Sequence, residues 1–218
     1  MSTTRFCRTQ GKAFRTLSKR SFLAFVFLGA CCGMTAGAGE AEERLLDSAT
    51  TYMRQASGYH VEATISNNNA KSLISADIAG DDYDVTVNSA VKVRQVRGRY
   101  WGSQDGGKTW HSNNSPDSAI FDFLRAPLMG GKLPSSARLA TVQQSTEGGR
   151  TVTLLELRFD PPSDKEFLIR YRVIKAPGGA IWIEQFSGPV TFLGTVVLVD
   201  ARYSKIDDVA RIAPPPSR

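Results

Sequence analysis

The clearest pattern near the start of the chain is a helical spacing of apolar residues over residues 40–57. The apolar positions that share one face are Ala41, Leu45, Ala49, Tyr52 and Met53. Acidic residues crowd the first turn, where the helix dipole favours negative charge. Ser57 and Gly58 follow the last apolar position and supply a stop signal. The pattern predicts one amphipathic α-helix.

After Gly58 the apolar residues recur at every second position, as in YHVEATIS over residues 59–66. Asn, Asp and Gly clusters separate such runs, which is typical of antiparallel hairpins. We expect strands over residues 59–66, 71–79, 83–88, 91–97, 99–103, 139–144, 151–159, 167–174, 180–187 and 190–203. The chain from residue 39 to 218 is therefore predicted to be a single α+β domain built on a mostly antiparallel sheet of about ten strands.

A segment framed by Pro116 and Pro134 interrupts the strands. Its apolar residues are Ile120, Phe121, Leu124, Leu128 and Met129. Asp117 is a suitable N-cap for a short helix, and Pro127 ends it. We expect short inserted helices that pack on the side of the sheet opposite to the N-terminal helix. The prolines and the Gly130-Gly131 pair suit a lid that opens, so the five apolar residues are the predicted ligand-binding set.

The first 38 residues read as a secretory signal peptide. They begin with a basic stretch, continue with an uncharged apolar run over residues 21–34, and end with the small residues Ala36, Gly37 and Ala38. The apolar run is shorter than the roughly 20 residues that a membrane-spanning helix needs. We therefore predict export to the periplasm, with residues 39–218 as the mature domain.

Processing of this leader has two open alternatives. Leu28-Gly29-Ala30-Cys31 resembles a bacterial lipobox, in which Cys31 would be lipidated and would associate the protein with a membrane. In the other alternative Cys31 is only a small residue of the apolar run, and ordinary cleavage follows Ala38. The route also stays open, because the stretch from Ser18 to Leu23 resembles a twin-arginine signal with Lys in place of the first Arg.

Composition removes several function classes. The formal net charge is +6, from 27 Lys and Arg against 21 Asp and Glu. Six of the basic residues and no acidic residue lie in residues 1–38, and 27 minus 6 leaves 21 basic against 21 acidic residues in the body. A neutral body gives no electrostatic reason to bind nucleic acid. All three cysteines also lie in the leader, so the body has no cysteine nucleophile or ligand.

Residues 103–110, SQDGGKTW, fit the Asp-box pattern S-x-D-x-G-x-T-W at every fixed position. Asp105 can accept hydrogen bonds from its own turn, and the glycines allow positive φ angles. In sialidase-like propellers this box recurs in each blade, away from the catalytic centre. Here it occurs once, and it predicts a well-formed hairpin.

Other chemical candidates are weak. His60 and His111 are the only histidines and have no companion ligands at a metal-binding spacing. We predict no catalytic residue, no metal site and no cofactor. The basic residues that alternate with apolar ones are Lys92, Arg94, Arg170 and Arg172. Two interpretations remain open for them: a polar outer strand face, or a basic rim for an anionic head group.

The order of elements resembles the outer-membrane lipoprotein carrier (LolA-like) superfamily over about residues 40–214. The shared features include Tyr100-Trp101 followed by the Asp105-Gly106-Gly107 turn and Trp110, and the closing Tyr203-Ser204-Lys205 with Ile212-Ala213-Pro214. The resemblance implies a curved half-barrel sheet that inserted helices close over an apolar cavity for acyl chains.

We therefore expect a monomeric, non-enzymatic periplasmic protein that binds a lipid acyl chain or a lipoprotein, as a carrier or chaperone. A concave apolar face is costly unless something covers it. Two alternatives stay open: the inserted apolar residues fill an ordinary core, or the domain is a cell-envelope sensor that recognises a protein partner without a lipid. Exposed edge strands would suit the sensor, through strand addition.

Overall fold

The computed structural model describes residues 39–67, 70–113, 124–125, 137–159, 168–192 and 194–216. These residues belong to one compact unit. The signal-peptide prediction over residues 1–38, including Cys31, lies outside the described residues. So do Ile120, Phe121, Leu128 and Met129 of the insertion. No helix in the described part of the chain is both long and apolar enough to cross a bilayer.

Helix α1 spans Glu40–Gln55 and confirms the helical prediction. Three glutamates occupy its first turn, where they complement the positive end of the helix dipole. Ala49, Thr50 and Met53 form its buried stripe. The last helical hydrogen bond runs from the Ala56 N–H to the Tyr52 carbonyl. The helix ends at its C-cap Ala56, whose ψ of 141° is extended and directs the chain into the first strand.

The described strands form a sheet of eleven, which is one more than the approximate number expected. They are β1 Tyr59–Asn67, β2 Ala70–Ala79, β3 Asp82–Val87, β4 Val91–Val96, β5 Arg99–Ser103, β6 His111–Asn113, β7 Ala137–Glu147, β8 Arg150–Phe159, β9 Ile169–Lys175, β10 Ile181–Phe192 and β11 Thr195–Ser204. The spatial order is β6-β5-β4-β3-β2-β1-β11-β10-β9-β8-β7, and every neighbouring pair is antiparallel.

Two meanders therefore meet where β1 pairs with β11, with Val61 opposite Tyr203 and Ala63 opposite Ala201. The register shifts by one residue between Thr141 and Gln143 in β7 and between Ile183 and Gln185 in β10. Such bulges bend strands and increase their twist. The fold class predicted from the sequence, a curved antiparallel half-barrel with an N-terminal helix, is confirmed.

One predicted strand break is misplaced, and one short strand was not predicted. The expected break at Gly188-Pro189 lies inside β10, which continues to Phe192, opposite Thr195 of β11. Proline is tolerated there because the pairing of β10 with β9 already ends at Ser187 opposite Arg170, so no ladder N–H is needed on that side. The short β6 was not predicted, because three residues carry too little alternation to be recognised.

The core lies on one face of the sheet, which we call the inner face, and α1 packs on it. The helix contacts β7, β9 and β10, and its Ala49 and Met53 join a cluster with inner-face residues such as Val61, Leu139 and Ile183. Leu124 of the insertion belongs to the same cluster. The expectation that the helix and the insertion pack on opposite sides is therefore wrong at Leu124. A curved open sheet has one large apolar face, and both elements bury their apolar residues on it.

Candidate functional site

The most informative feature of the topology is the placement of the insertion. It connects β6 to β7, and these strands are the two opposite edges of the open sheet. Leu124, within this connection, is 3% exposed and packs in the inner-face cluster. Of the five residues predicted to bind a ligand, Leu124 is the one whose position the structure describes. It lies at the apolar interior, as that prediction requires and as an ordinary core residue also would.

The inner face itself is almost entirely apolar. Its fully buried members include Val61 of β1, Val85 of β3, Leu155 of β8, Val173 of β9 and Ile183 of β10. Fully burying each such side chain contributes roughly 1.5–3 kcal/mol. The interior can therefore offer dispersion contacts to a hydrocarbon chain. A charged group, the Arg125 guanidinium, lies near this interior beside Tyr59.

A polar group of tyrosines interrupts this apolar interior where β1 begins and β11 ends. Tyr59 is 3% exposed and Tyr203 is 2% exposed. Their rings contact edge to face, with centroids 6.0 Å apart. Among the described residues, the Tyr203 hydroxyl has no hydrogen-bond partner. The Tyr59 hydroxyl has the Arg125 guanidinium beside it, in a contact looser than a full hydrogen bond. Leaving a buried polar group unsatisfied costs on the order of 1–3 kcal/mol.

The ionisation of these tyrosines reflects the same burial. Removal from water raises the pKa of Tyr59 to about 12, although the nearby Arg125 guanidinium opposes the rise. Burial also raises the pKa of Tyr203 well above its usual value, and the neighbouring Tyr59 and Tyr171 add to the effect. Three tyrosines and one arginine are thus close enough to influence one another. This group was not recognised in the sequence, where only the inner-face positions of Tyr59 and Tyr203 could have indicated it.

At the β6 edge the inner face becomes accessible. Val91 of β4 is 41% exposed, and Val93 and Tyr100 are half-buried. A cavity of about 620 Å³ lies here, and its lining includes these three residues, Trp101 of β5 and His111 of β6. This volume falls within the range of small-molecule sites, and the lining combines apolar side chains with polar ones.

The Asp-box hairpin beside this cavity is built as predicted. Asp105 Oδ1 accepts hydrogen bonds from the Lys108 and Thr109 backbone N–H groups, each at 2.9 Å, and from the Ser103 hydroxyl at 2.8 Å. The Thr109 hydroxyl donates to Oδ2 at 2.5 Å. Gly106 and Gly107 have φ angles of 73° and 93°, which side-chain-bearing residues rarely adopt. Every one of these bonds closes the turn itself, which supports the structural interpretation of the box.

The arginines of the outer face are paired with carboxylates. Arg94 pairs with Asp84 and stacks over Trp110 at 5.0 Å. Arg172 donates to Glu184 at 2.5 Å and to Glu147 at 2.7 Å. Arg170 donates to Glu156 at 3.2 Å, on the neighbouring strand. These contacts favour the polar outer face over the basic rim, because their charge is already compensated across the strands.

His60 lies on the outer face, where its Nδ1 is 2.6 Å from Asp77 Oδ1 on β2. Within the described ranges, no three His, Cys, Asp or Glu side chains gather in a way that could hold a metal ion. His111 is exposed at the edge of the sheet. Among the described residues, neither histidine has the set of partners that nucleophilic or metal-assisted catalysis would need.

The comparisons with known proteins concern the fold. No protein-family model and no curated protein matches the sequence. The structure resembles the crystal structure of LprF from Mycobacterium bovis, with a TM-score of 0.55 and 13% identity over 83% of this chain and 100% of that chain. For the Mycobacterium tuberculosis lipoprotein LppX the TM-score is 0.47, with 12% identity over 79% of this chain and 98% of that chain.

A LolA superfamily protein from Nitrosomonas europaea also aligns, with a TM-score of 0.28 and 10% identity over 82% of this chain and 96% of that chain. At these identities the likenesses describe architecture alone. The likeness to LprF, with its TM-score of 0.55, is the one that supports the architecture. The half-barrel fold that the sequence resemblance implied is confirmed.

Proposed function

We propose that this protein is an exported, non-enzymatic carrier or chaperone that binds the acyl chain of a lipid or lipoprotein inside its half-barrel. The observation that carries the proposal is the connection between the opposite edge strands β6 and β7, with Leu124 buried against the inner face. Any connection between β6 and β7 has to span the distance between the two edges of the sheet. A connection that joins both edges and contributes an apolar residue to the interior can also close over a ligand.

In this proposal the ligand-facing set consists of Leu124 and its apolar companions in the insertion, Ile120, Phe121, Leu128 and Met129. The entrance is the accessible inner face at β4–β6, where Val91 is 41% exposed. Transfer of an acyl chain from water to such a surface gains about 0.8 kcal/mol for each methylene buried. A chain of a dozen carbons would therefore bind without any polar contact.

The proposed location is the periplasm, to which the signal peptide over residues 1–38 would deliver the domain. Cys31 would add a membrane anchor if it is lipidated, since a lipoprotein carries several acyl chains and binds stably. A monomer suffices for the proposed function, because one inner face forms the whole site.

Native mass spectrometry of the full chain, purified without detergent, tests the proposal. We expect a fraction of the protein to carry an additional mass that organic extraction removes and that methyl dodecanoate restores. A bare polypeptide mass before and after addition of methyl dodecanoate would refute acyl binding. An unrelated exported protein of similar mass, treated in parallel, controls for non-specific adducts.

One observation favours a second candidate function, the envelope sensor. Strand β7 is the edge of the described sheet over Ala137–Glu147, and Val142 on it is 38% exposed. An edge of that length can receive a strand from a partner protein. The bulge beside Val142 argues against it, because bulges are one of the means by which proteins protect edges. A stoichiometric protein partner recovered from cell envelopes without lipid would favour the sensor.

A further inference from the structure

The buried tyrosine pair has no role in the acyl-chain site proposed above, although it lies in the same interior. Tyr59 lies on β1 and Tyr203 lies on the neighbouring strand β11. Both are almost completely buried, with exposed fractions of 3% and 2%. The Tyr203 hydroxyl has no hydrogen-bond partner among the described residues, whereas the Arg125 guanidinium lies beside the Tyr59 hydroxyl. A core that needed only volume would be served better by phenylalanine, which avoids the cost of burying a hydroxyl.

The surroundings of the pair indicate what would satisfy it. Tyr171 of β9 lies close enough to affect Tyr203 electrostatically, and Arg125 interacts with Tyr59. Tyrosine hydroxyls and a guanidinium are all hydrogen-bond donors, and the guanidinium has no acceptor capacity. A group of donors in an apolar interior is complementary to an oxygen-rich acceptor that arrives attached to an apolar chain.

We propose that Tyr59, Tyr203 and Arg125 form a polar subsite that binds the ester carbonyl or phosphate oxygens at the head of an acyl ligand. This inference rests on the proposed function, because the hydrocarbon must enter the interior for its head to reach the hydroxyls. One hydrogen bond from the otherwise unsatisfied Tyr203 hydroxyl to a ligand oxygen corresponds to roughly a tenfold preference for a ligand with an acceptor. The subsite would thus orient the ligand, while the apolar inner face supplies affinity.

Displacement of a bound naphthylamine fluorophore from the delipidated full chain measures that preference. The probes are methyl dodecanoate, dodecyl phosphate and tetradecane, which has a similar length and no acceptor. We expect both acceptor-bearing probes to bind the unmodified protein about tenfold more tightly than tetradecane. Tyr59→Phe together with Tyr203→Phe should reduce this ratio to about one, with the affinity for tetradecane unchanged. Arg125→Gln should weaken dodecyl phosphate more than methyl dodecanoate, which separates the charged head group from the neutral ester.

Tyr52→Phe is the matched control, because the Tyr52 hydroxyl faces Asp207 at 3.4 Å and lies outside the interior. It should leave all three affinities unchanged. Thermal melting adds a readout that does not depend on ligand: removal of hydroxyls that lack a full hydrogen bond should leave the melting temperature of the free double variant equal to or above that of the unmodified protein. A lower melting temperature, with the tenfold preference retained, would show that the hydroxyls serve the fold or an internal water and would overturn the subsite.

The outcomes separate the two proposals. If the unmodified protein binds tetradecane and methyl dodecanoate equally well, the polar subsite is wrong and the acyl-binding function stands. If it binds none of the probes, the proposed function fails and the subsite fails with it.

Discussion

Ser57 and Asp207 connect the end of the helix to the end of the sheet. The Ser57 backbone N–H donates to Asp207 Oδ1 at 2.7 Å, and its hydroxyl donates to the same oxygen at 3.0 Å. The Asp207 backbone N–H in turn donates to the Gly58 carbonyl at 2.8 Å. These three bonds attach the junction between α1 and β1 to the residues that follow β11. They thereby add to the contacts between the first and the second meander.

Asp207→Ala is therefore expected to destabilise the domain by about 0.5–1.5 kcal/mol, because the exposed Ser57 N–H exchanges its protein acceptor for water. Asp207 also has a φ angle of 61°, which alanine adopts less readily than aspartate or asparagine. Urea denaturation measures the loss. Asp207→Asn retains an acceptor oxygen and the tolerance of positive φ, and should recover most of the stability. Equal losses for both variants would contradict this account of the junction.

The Asp-box carboxylate gives a prediction on acid stability. The Thr109 hydroxyl, the Thr109 backbone N–H and the Ser103 hydroxyl hold the pKa of Asp105 well below its ordinary value of 3.8. A lowered folded pKa means that the contribution of Asp105 is present above pH 3.8 and is lost as the pH falls through the lower folded value. The β5–β6 hairpin should therefore remain closed at pH 3.

Asp105→Ala should abolish the slow amide hydrogen exchange of Lys108 and Thr109, whose N–H groups donate to Asp105. It should also reduce the difference in stability between pH 5 and pH 2.5, because the titrating group is gone. A loss of ligand binding in a variant with an otherwise intact sheet would assign the box a functional role.

The buried tyrosines give a prediction on alkaline stability. The pKa of Tyr59 is raised to about 12 in the folded protein, against 10.0 in the unfolded chain. Above pH 10 the unfolded chain releases a proton that the folded protein retains, so the free energy of unfolding falls as pH rises from 10 to about 12. Tyr59 accounts for a loss of about 1.4 kcal/mol by pH 11.

Tyr59→Phe removes that titration, and the fall in unfolding free energy between pH 9 and pH 11 should shrink by about this amount. Urea denaturation at the two pH values measures it. Tyr100→Phe, which removes a half-buried hydroxyl from β5, controls for the number of tyrosines. An unchanged alkaline loss in Tyr59→Phe would mean that its hydroxyl is hydrated in the folded protein.

The sequence predicted the parts of the fold that local patterns encode. The alternation in YHVEATIS predicted strand β1, and SQDGGKTW predicted the hairpin around Asp105. Register across distant strands has no local signal. The contact between Tyr59 and Tyr203 depends on the pairing of β1 with β11, which brings together residues from opposite ends of the domain.

Two errors have the same origin. Pro189 suggested a strand end because its missing N–H normally breaks a ladder. In the structure, the pairing of β10 with β9 ends at Ser187, two residues before Pro189, and the sequence has no local signal for where this pairing ends. The placement of the insertion likewise follows from which strands form the edges of the sheet, and only the assembled topology shows that β6 and β7 lie farthest apart.

The last prediction separates a closing segment from ordinary core filling, and it depends on Leu124. Leu124 and Leu139 have the same side chain and are equally buried, at 3% and 2% exposed, and both belong to the inner-face cluster. Leu139 lies on β7, within the sheet. Leu124 lies on the connection between the two edges. Glutamate at a buried position costs several kcal/mol unless the side chain reaches water.

If the connection closes over a ligand, Leu124→Glu can expose its carboxylate by displacement of that segment alone, and the sheet with α1 remains folded. Leu139→Glu has no such escape, because β7 is paired with β8 along its whole length. We therefore expect Leu139→Glu to unfold the domain, since the penalty is comparable with the 5–15 kcal/mol of typical total stability. Leu124→Glu should retain the circular dichroism spectrum of the sheet and lose at least tenfold in affinity for methyl dodecanoate. If the ligand-free Leu124→Glu protein unfolds as Leu139→Glu does, Leu124 is a core residue of the fold, and the ligand-binding role proposed for the insertion is wrong.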